Sequence, residues 1–227
     1  MIVSIHQPNF LPYTGFFNKI LSSDIFILYD TAQYVKNRWD NRNRLRNKGG
    51  SFYITIPLTN KSYFRKSFFE IPLPDDNKWK RKHKLMIQSS YSRSNFFEMY
   101  FEDIIQIYDS RNTNLADFNF KFINFFLKSF EIETKVVKAS DLNLSKSFRS
   151  SKFLAEAVEQ VGGQTYLSGP SGSNYMDIND FDKKNLSVVF QDYKCKTYKQ
   201  NFPGFINHLS SLDLLFNLGP KARDLLV

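Results

Sequence analysis

The chain has 227 residues and a mass of 26.7 kDa, which is enough for one domain with a substantial hydrophobic core. Hydrophobic residues make up 42% of it, and this share excludes an intrinsically disordered protein. The net charge of +9 favours a polyanionic partner, such as a nucleotide, a nucleic acid or an anionic membrane surface.

The chain contains one cysteine, Cys195, which can form no disulfide within the chain. The N-terminus lacks the basic start and the long apolar run of a signal peptide. No stretch approaches the roughly 18 consecutive apolar residues of a membrane span. These features together predict a cytoplasmic protein without a membrane span.

The first predicted element is a short buried strand over residues 2–5, which contains three β-branched residues. Pro8 ends this strand because proline has no N–H to donate to a sheet. His6 and Gln7 therefore lie where the strand gives way to a helix, for which Asn9 is a candidate cap. Ligands bind at this edge of open α/β sheets, although a lone histidine there can also serve only the turn.

The second predicted strand covers residues 24–30 and ends in the carboxylate of Asp30. A strongly basic segment, residues 36–48, follows it and ends at two glycines. We predict a long polar loop here, in which Arg42 and Arg44 suit phosphate oxygens while Asn41 and Asn43 suit hydroxyls or base edges. The alternative is an ordinary solvated charged surface.

Residues 52–58 are predicted to form a third strand and residues 68–72 a short fourth one. From residue 77 the apolar spacing becomes helical, and we predict that residues 75–131 form a helical insertion or lid of three helices. The first of these helices carries a second basic patch. His83 within it is predicted to be structural or phosphate-facing, because no second ligand at helical spacing supports a metal site.

The C-terminal part is predicted to return to alternating strands and helices. Strands are predicted at 133–139, 165–169 and 186–190, with helices at 149–161 and in the C-terminal tail. The Gly- and Ser-rich residues 170–175 form a second candidate cradle for a phosphate or a sugar. They match neither the Walker pattern nor the dinucleotide-binding pattern.

The predicted fold is α/β, with a mostly parallel three-layer sheet of the Rossmann-like kind and a helical insertion, in a single domain over residues 1–227. The loops that carry His6, Asp30 and Ser168 each follow a strand. In a parallel sheet these three loops open at the same edge. The sequence therefore predicts one site there.

Several short segments form a pattern that spans nearly the whole chain. They are His6-Gln-Pro-Asn-Phe-Leu-Pro12, Gly15-Phe-Phe17, Lys19-Ile20, Asp24-Ile-Phe26, Asp30, Gln33, Trp39, Asn41-Arg-Asn-Arg44, Tyr166-Leu-Ser-Gly169, Tyr175, Tyr198, Gln200, Leu209-Ser210 and Asp213-Leu-Leu-Phe-Asn217. This pattern resembles the WbqC-like family, with Tyr13 where the family often has Trp. The resemblance implies a role in bacterial surface-polysaccharide biosynthesis, the O-antigen of lipopolysaccharide in particular.

The leading hypothesis is a transferase that moves an acyl or aminoacyl group to the amine of a nucleotide-linked sugar. His6 would be the general base and Asp30 would orient it or hold substrate. The predicted substrate-binding residues are Gln7, Asn9, Gln33, Asn41, Arg42, Asn43, Arg44, Tyr166, Ser168, Gly169 and Tyr175. No metal and no resident cofactor are predicted; the donor would be acyl-CoA or an aminoacyl-tRNA.

Two alternatives stay open. The strand-His-turn-helix opening is loosely similar to nucleotidyltransferases, or to adenylate-forming enzymes, but the second histidine of the nucleotidyltransferase signature is absent. An RNA-binding module would use the two basic patches with Tyr34, Trp39 and Tyr63 as stacking residues. Nucleic acid would also be a partner if a tRNA carried the donor group.

Overall fold

The computed structural model describes residues 1–144 and 150–227, and these fall into two compact units. Unit 1 contains residues 1–7, 18–31 and 133–194. Unit 2 contains residues 8–17, 32–132 and 195–227. The start of the helix predicted at 149–161 lies outside the described residues; its described part is a helix from Ser150 to Gln160.

Unit 1 is built on a five-stranded, fully parallel sheet, in the order β5 (Lys135–Lys138), β2 (Ile25–Leu28), β1 (Ile2–His6), β6 (Thr165–Ser168) and β7 (Ser187–Phe190). The chain is therefore α/β, with a parallel sheet flanked by helices as in Rossmann-like three-layer folds, which confirms the predicted fold class.

The helical elements of unit 1 alternate with its strands along the chain. They are the last four residues of α1 (Thr14–Leu21), α6 (Ser150–Gln160), α7 (Asn179–Asp182) and 3-10 turns at Ala139–Asp141 and Pro170–Asn174. Val3 and Ile5 of β1, together with Ile27 of β2, pack against α6 residues such as Val158 in the core of this unit. β2 is buried at every position, as its uninterrupted apolar run predicts.

The strand order places a topological switch point between β1 and β6. From β1 the chain adds β2 and then β5 on one side of the sheet, whereas β6 and then β7 lie on the other side. In open α/β sheets, ligands bind outside the carboxyl ends of the strands at such a point, because the crossovers diverge there and leave a crevice.

Unit 2 combines helices with a two-stranded antiparallel sheet. Its elements are β3 (Arg42–Asn47), β4 (Gly50–Thr55), α2 (Asn60–Tyr63), α3 (Lys78–Tyr91), α4 (Phe97–Asp109), α5 (Leu115–Ser129), α8 (Ser211–Leu218), the first four residues of α1, and 3-10 segments at Phe68–Glu70 and Gly219–Leu225. Helices α3 to α5 occupy the range predicted to be helical.

The basic segment is not the long loop that its composition predicts. Residues 42–47 pair with β4 as a hairpin, from Arg42 opposite Thr55 to Asn47 opposite Gly50. Gly50 takes a positive φ of 135°, which a residue without Cβ adopts at little cost. The prediction failed because a pair of glycines can form the tight turn of a β-hairpin as well as the end of a loop.

Two further local predictions are wrong. Residues 68–70 form a 3-10 turn instead of a fourth strand, with a capping box between Ser67 and Glu70. Helix α1 begins at Thr14, so Asn9 lies too far upstream to cap it. None of the helices in the described residues is both long enough and apolar enough to cross a membrane.

Candidate functional site

The carboxyl edge of the parallel sheet collects several polar residues of unit 1. His6 is the last residue of β1, Ser168 is the last residue of β6, and Asp30 follows β2 by two residues. Because β1 pairs in parallel with both β2 and β6, all three residues lie at the same edge of the sheet. This edge is our candidate functional site.

The His6 ring is half-buried and has a defined tautomer. Its Nδ1 lies 2.9 Å from the carbonyl oxygen of Gln7. A carbonyl oxygen can only accept a hydrogen bond, so Nδ1 carries the proton and donates it. In the neutral ring Nε2 therefore holds the lone pair, and this is the atom that would accept a proton in catalysis.

The Asp30 carboxylate is buried and bound within the unit. One oxygen accepts the backbone N–H of Ser140 at 2.9 Å, and the other accepts the Ser140 hydroxyl at 2.6 Å. Ser140 directly follows β5 in the 3-10 turn. These two bonds attach the end of β5 to the end of β2.

Beyond β6 the chain packs closely over the Ser168 side chain. The Ser168 hydroxyl donates to the carbonyl of Gly169 at 3.1 Å. A Cβ at Gly172 would lie only 2.0 Å from that hydroxyl oxygen, so the turn needs glycine at this position. Tyr166 is buried and stacks on Phe181 with a centroid distance of 5.3 Å, and burial raises the pKa of its phenol above its usual value.

Lys19, in the last turn of α1, is a candidate that the sequence analysis did not select. Its side chain is buried, with 3% exposure, and its Nζ donates to the backbone carbonyl of Ile5 at 2.8 Å. Nζ also lies 5.9 Å from the ring centroid of Tyr166. Burial lowers the pKa of this amine to about 7, because the charged form loses its hydration.

Two amides link the helix that carries Lys19 to the end of β7. Gln191 directly follows β7, and its Nε2 donates to Oδ1 of Asn18 at 2.5 Å. The backbone N–H of Gln191 donates to the Ser168 carbonyl at 2.9 Å. The Asn18–Gln191 pair thus joins α1 to the end of β7. Neither residue was among the site residues predicted from the sequence.

The predicted site residues are divided between the two units. Gln7, Tyr166, Gly169 and the exposed Tyr175 belong to unit 1 with His6, Asp30 and Ser168. The residues in unit 2 are Asn9, Gln33, Asn41, Arg42, Asn43 and Arg44. Of these, Asn9 is buried, while Gln33 is exposed and bridges to Ser67.

The amides of Asn41 and Asn43 are buried and hydrogen-bonded within unit 2. Asn41 donates to the carbonyl of Ile56 at 2.8 Å and accepts the hydroxyl of Tyr34 at 2.9 Å. Asn43 donates to the carbonyls of Phe10 and Leu11 at 3.2 and 2.7 Å. These contacts hold the hairpin to the neighbouring backbone.

The arginines of β3 also bind backbone carbonyls. Arg42 donates to Asn37 at 2.7 Å, and Arg44 donates to Asn207 and His208 at 3.2 and 3.3 Å. The Arg42 guanidinium lies 4.8 Å from the ring centroid of Tyr53. Both side chains are half-buried, so part of each remains accessible.

Only part of the proposed RNA footprint is at the surface. Tyr34 and Tyr63 are buried against each other, with ring centroids 5.0 Å apart, and are not available to stack bases. Trp39 is 43% exposed and stacks on Tyr53, which is 49% exposed. Of the three predicted stacking residues, Trp39 is the accessible one, and it pairs with Tyr53 beside Arg42.

His83 is part of the core of unit 2. Its Nε2 donates to the carbonyl of Thr55 at 3.0 Å, and its Nδ1 accepts the hydroxyl of Tyr108 at 3.1 Å. Burial lowers its pKa to about 4. These contacts make His83 a structural histidine, one of the two roles that the sequence analysis predicts for it.

The tail residues of the family pattern form a buried polar cluster in unit 2. The Tyr198 hydroxyl donates to Oδ1 of Asp213 at 2.7 Å, and burial raises the pKa of Asp213 to about 6. The Tyr91 hydroxyl accepts the backbone N–H of Arg46 at 3.0 Å. The hydrogen bond between Tyr198 and Asp213 thus connects the segment that precedes α8 to the first turn of that helix.

Comparison with known proteins identifies a family and a relative of this chain. The model of the WbqC-like protein family matches residues 7–225. An uncharacterized protein of Mycobacterium tuberculosis (strain ATCC 25618 / H37Rv), Rv1507c, is 34% identical over 226 residues, which cover 99% of this chain and 96% of that protein. No solved structure matches the chain.

Proposed function

The chain belongs to the WbqC-like protein family, and for this member we propose the transfer of an acyl or aminoacyl group to the amine of a nucleotide-linked sugar, in bacterial surface-polysaccharide biosynthesis. One observation carries the proposal. The carboxyl edge of a parallel sheet, next to its topological switch point, holds a histidine whose Nε2 is the basic atom.

In this reaction the sugar amine attacks the carbonyl carbon of the donor. A C–N bond forms, and the C–S bond to coenzyme A, or the C–O bond to tRNA, breaks. His6 Nε2 takes the proton that the amine loses and returns it to the leaving thiolate or alkoxide, so that the imidazole ends neutral. The hydrogen bond from Nδ1 to the Gln7 carbonyl supports this role, because it fixes the tautomer and steadies the ring.

Two residues that follow β6 in the chain suit a polar substrate of this class. Gly169 has open space where a Cβ would be, and Tyr175 is exposed just beyond it. A backbone position without a side chain lets a ligand approach closely, and a tyrosine offers a surface for a sugar or a base. We assign Gly169 and Tyr175 to substrate binding on this ground.

The test has two steps on the purified full-length protein. A thermal-shift screen of nucleotide-linked amino sugars comes first, since a ligand at about 100 times its Kd stabilises by about 2.7 kcal/mol. The stabilising compounds are then incubated with acyl-CoA or aminoacyl-tRNA, and products are identified by mass spectrometry. The expected product is an amide of the sugar, formed by the wild type and about 10²–10⁴ times more slowly by His6→Asn. Stabilising sugars that give no amide with either donor would refute the transfer.

A second candidate function is the binding of a nucleic acid by unit 2. The protein would then be either an RNA-binding module or a transferase whose donor group is carried by a tRNA. The observation that favours it is the exposed Trp39–Tyr53 pair beside Arg42. Aromatic faces stack bases while arginines neutralise phosphates. A steep loss of tRNA affinity with salt is expected if several phosphates are bound, and a shallow loss if a single nucleotide is bound.

A further inference from the structure

The buried ammonium of Lys19 lies where the two central strands separate. The β1–β2 ladder continues to the last residue of β1, with His6 opposite Leu28. The β1–β6 ladder stops earlier, at Ser4 opposite Leu167. The next carbonyl of β1, that of Ile5, accepts its hydrogen bond from Lys19 Nζ at 2.8 Å. Lys19 therefore marks the opening between β1 and β6, which is the topological switch point.

This ammonium has more donors than the described residues accept from. Nζ carries three N–H groups, and in the described part of the chain it makes one hydrogen bond, to the Ile5 carbonyl. None of the ion pairs among the described residues involves Lys19. A buried charge without a counter-ion is costly, and an anion bound beside it would remove that cost.

We infer that Lys19 binds the diphosphate of a nucleotide ligand at the crevice between β1 and β6. That the anion is a nucleotide diphosphate rests on the proposed function. The location of the site rests on the topological switch point and on the Lys19 ammonium, which forms no ion pair among the described residues. The Ile5 carbonyl holds the side chain in place, and the remaining N–H groups are donors for phosphoryl oxygens.

The protonation state of Lys19 in the unliganded protein makes the binding of an anion dependent on pH. The titratable side chains of β1 and β6 are His6 and Tyr166, and the Tyr166 ring centroid lies 5.9 Å from Lys19 Nζ. Burial raises the phenol pKa of Tyr166 above its usual value, so this side chain stays neutral between pH 7.5 and 9. Over this range the protonated fraction of Lys19, whose pKa is about 7, falls roughly tenfold per unit, and affinity should fall with it.

The experiment measures binding by isothermal calorimetry to the full-length protein. The probes are UDP-glucose, dTDP-glucose, GDP-mannose and inorganic pyrophosphate, with uridine, thymidine and guanosine as uncharged controls. The variants are Lys19→Met, which removes the charge but keeps the length of the chain, and Lys19→Arg, which keeps the charge. Thermal unfolding of each variant checks that it folds.

We expect the wild type to bind at least one diphosphate probe, with affinity that falls about tenfold or more between pH 7.5 and 9. Lys19→Met should fold, lose at least tenfold in affinity and lose the pH dependence, while Lys19→Arg should retain more of the affinity. Equal binding by Lys19→Met and wild type, or binding by neither, would overturn the inference. If Lys19-dependent binding is found but no sugar amide forms, the anion site stands and the proposed transfer falls.

Discussion

Ser140 gives both of its donors to Asp30: the backbone N–H at 2.9 Å and the hydroxyl at 2.6 Å. Asp30 follows β2 and Ser140 follows β5, and these strands are neighbours in the sheet. A buried carboxylate with two hydrogen bonds is ordered by its surroundings, so Asp30 braces the carboxyl edge on which His6 lies.

The first prediction concerns this brace. Ser140→Ala removes a hydrogen bond to a charged group and should lower the free energy of unfolding by about 1.5–3 kcal/mol. Asp30→Ala should lower it further, because it also leaves the Ser140 N–H without its acceptor. Urea unfolding measures both values, with the exposed Ser187→Ala as the control variant. Full stability of Ser140→Ala would contradict the bracing role.

The second prediction concerns His6 as the general base. Asn at position 6 can still donate a hydrogen bond to the Gln7 carbonyl, but it has no basic nitrogen. His6→Asn should therefore lower kcat by about 10²–10⁴, the usual contribution of general acid–base catalysis, with little change in KM. Near-normal turnover in the variant would make His6 a structural or binding residue.

The pH profile gives an independent check on His6. Imidazole has a reference pKa of about 6.5, and only its neutral form accepts a proton. The wild-type rate should fall as the pH drops below the pKa of His6, and the residual activity of His6→Asn should lack this acid limb. An acid limb that persists in the variant would show that another group accepts the proton.

The third prediction concerns the pH dependence of stability through His83. Burial lowers its pKa to about 4 in the folded protein, against 6.5 for the unfolded chain. Between these values the unfolded state binds more protons, so the free energy of unfolding rises with pH. His83 thus contributes stability that is present above pH 6.5 and is lost as the pH falls towards 4, by up to about 3 kcal/mol.

His83→Gln isolates this contribution, since glutamine also has a donor and an acceptor but does not titrate. Urea unfolding from pH 4 to 7 should give a weaker pH dependence for the variant than for the wild type. The comparison with the wild type is needed because burial raises the pKa of Asp40 to about 7, which makes stability fall with rising pH over an overlapping range. Parallel stability curves would refute the assignment.

The fourth prediction tests the second candidate function. Trp39→Ala and Tyr53→Ala should each weaken binding of tRNA or single-stranded RNA by about 1–3 kcal/mol, the usual contribution of one stacked base. Neither should change the salt dependence, because neither removes a charge. Fluorescence anisotropy measures the affinity.

Two variants complete that experiment. Arg42→Ala should lower both the affinity and the salt dependence, since it removes a group that neutralises phosphate. Phe69→Ala removes another exposed aromatic ring of unit 2 and should change neither quantity. Equal affinities for all the variants would leave the Trp39–Tyr53 surface without a role in nucleic-acid binding.

The sequence determined the parallel sheet of unit 1 and the edge at which its polar residues lie. Short apolar runs such as residues 25–28 indicate buried strands, and their alternation with helices requires parallel connections. In a parallel sheet all strands end at one edge, so the joint placement of His6, Asp30 and Ser168 follows from local patterns alone.

The tertiary structure decided the features that depend on distant partners. Asn41 and Asn43 bind backbone carbonyls, and Asp30 binds Ser140, which lies 110 positions further along the chain. Lys19 looks in the sequence like an ordinary basic residue at a helix end. It is distinguished only by its burial and by the absence of a counter-ion among residues 1–144 and 150–227, and both depend on strands 14 and 147 residues away, at Ile5 and Tyr166. Hydrophobic periodicity is local and can be recognised in the sequence, whereas desolvation and hydrogen-bond partnership depend on the complete fold.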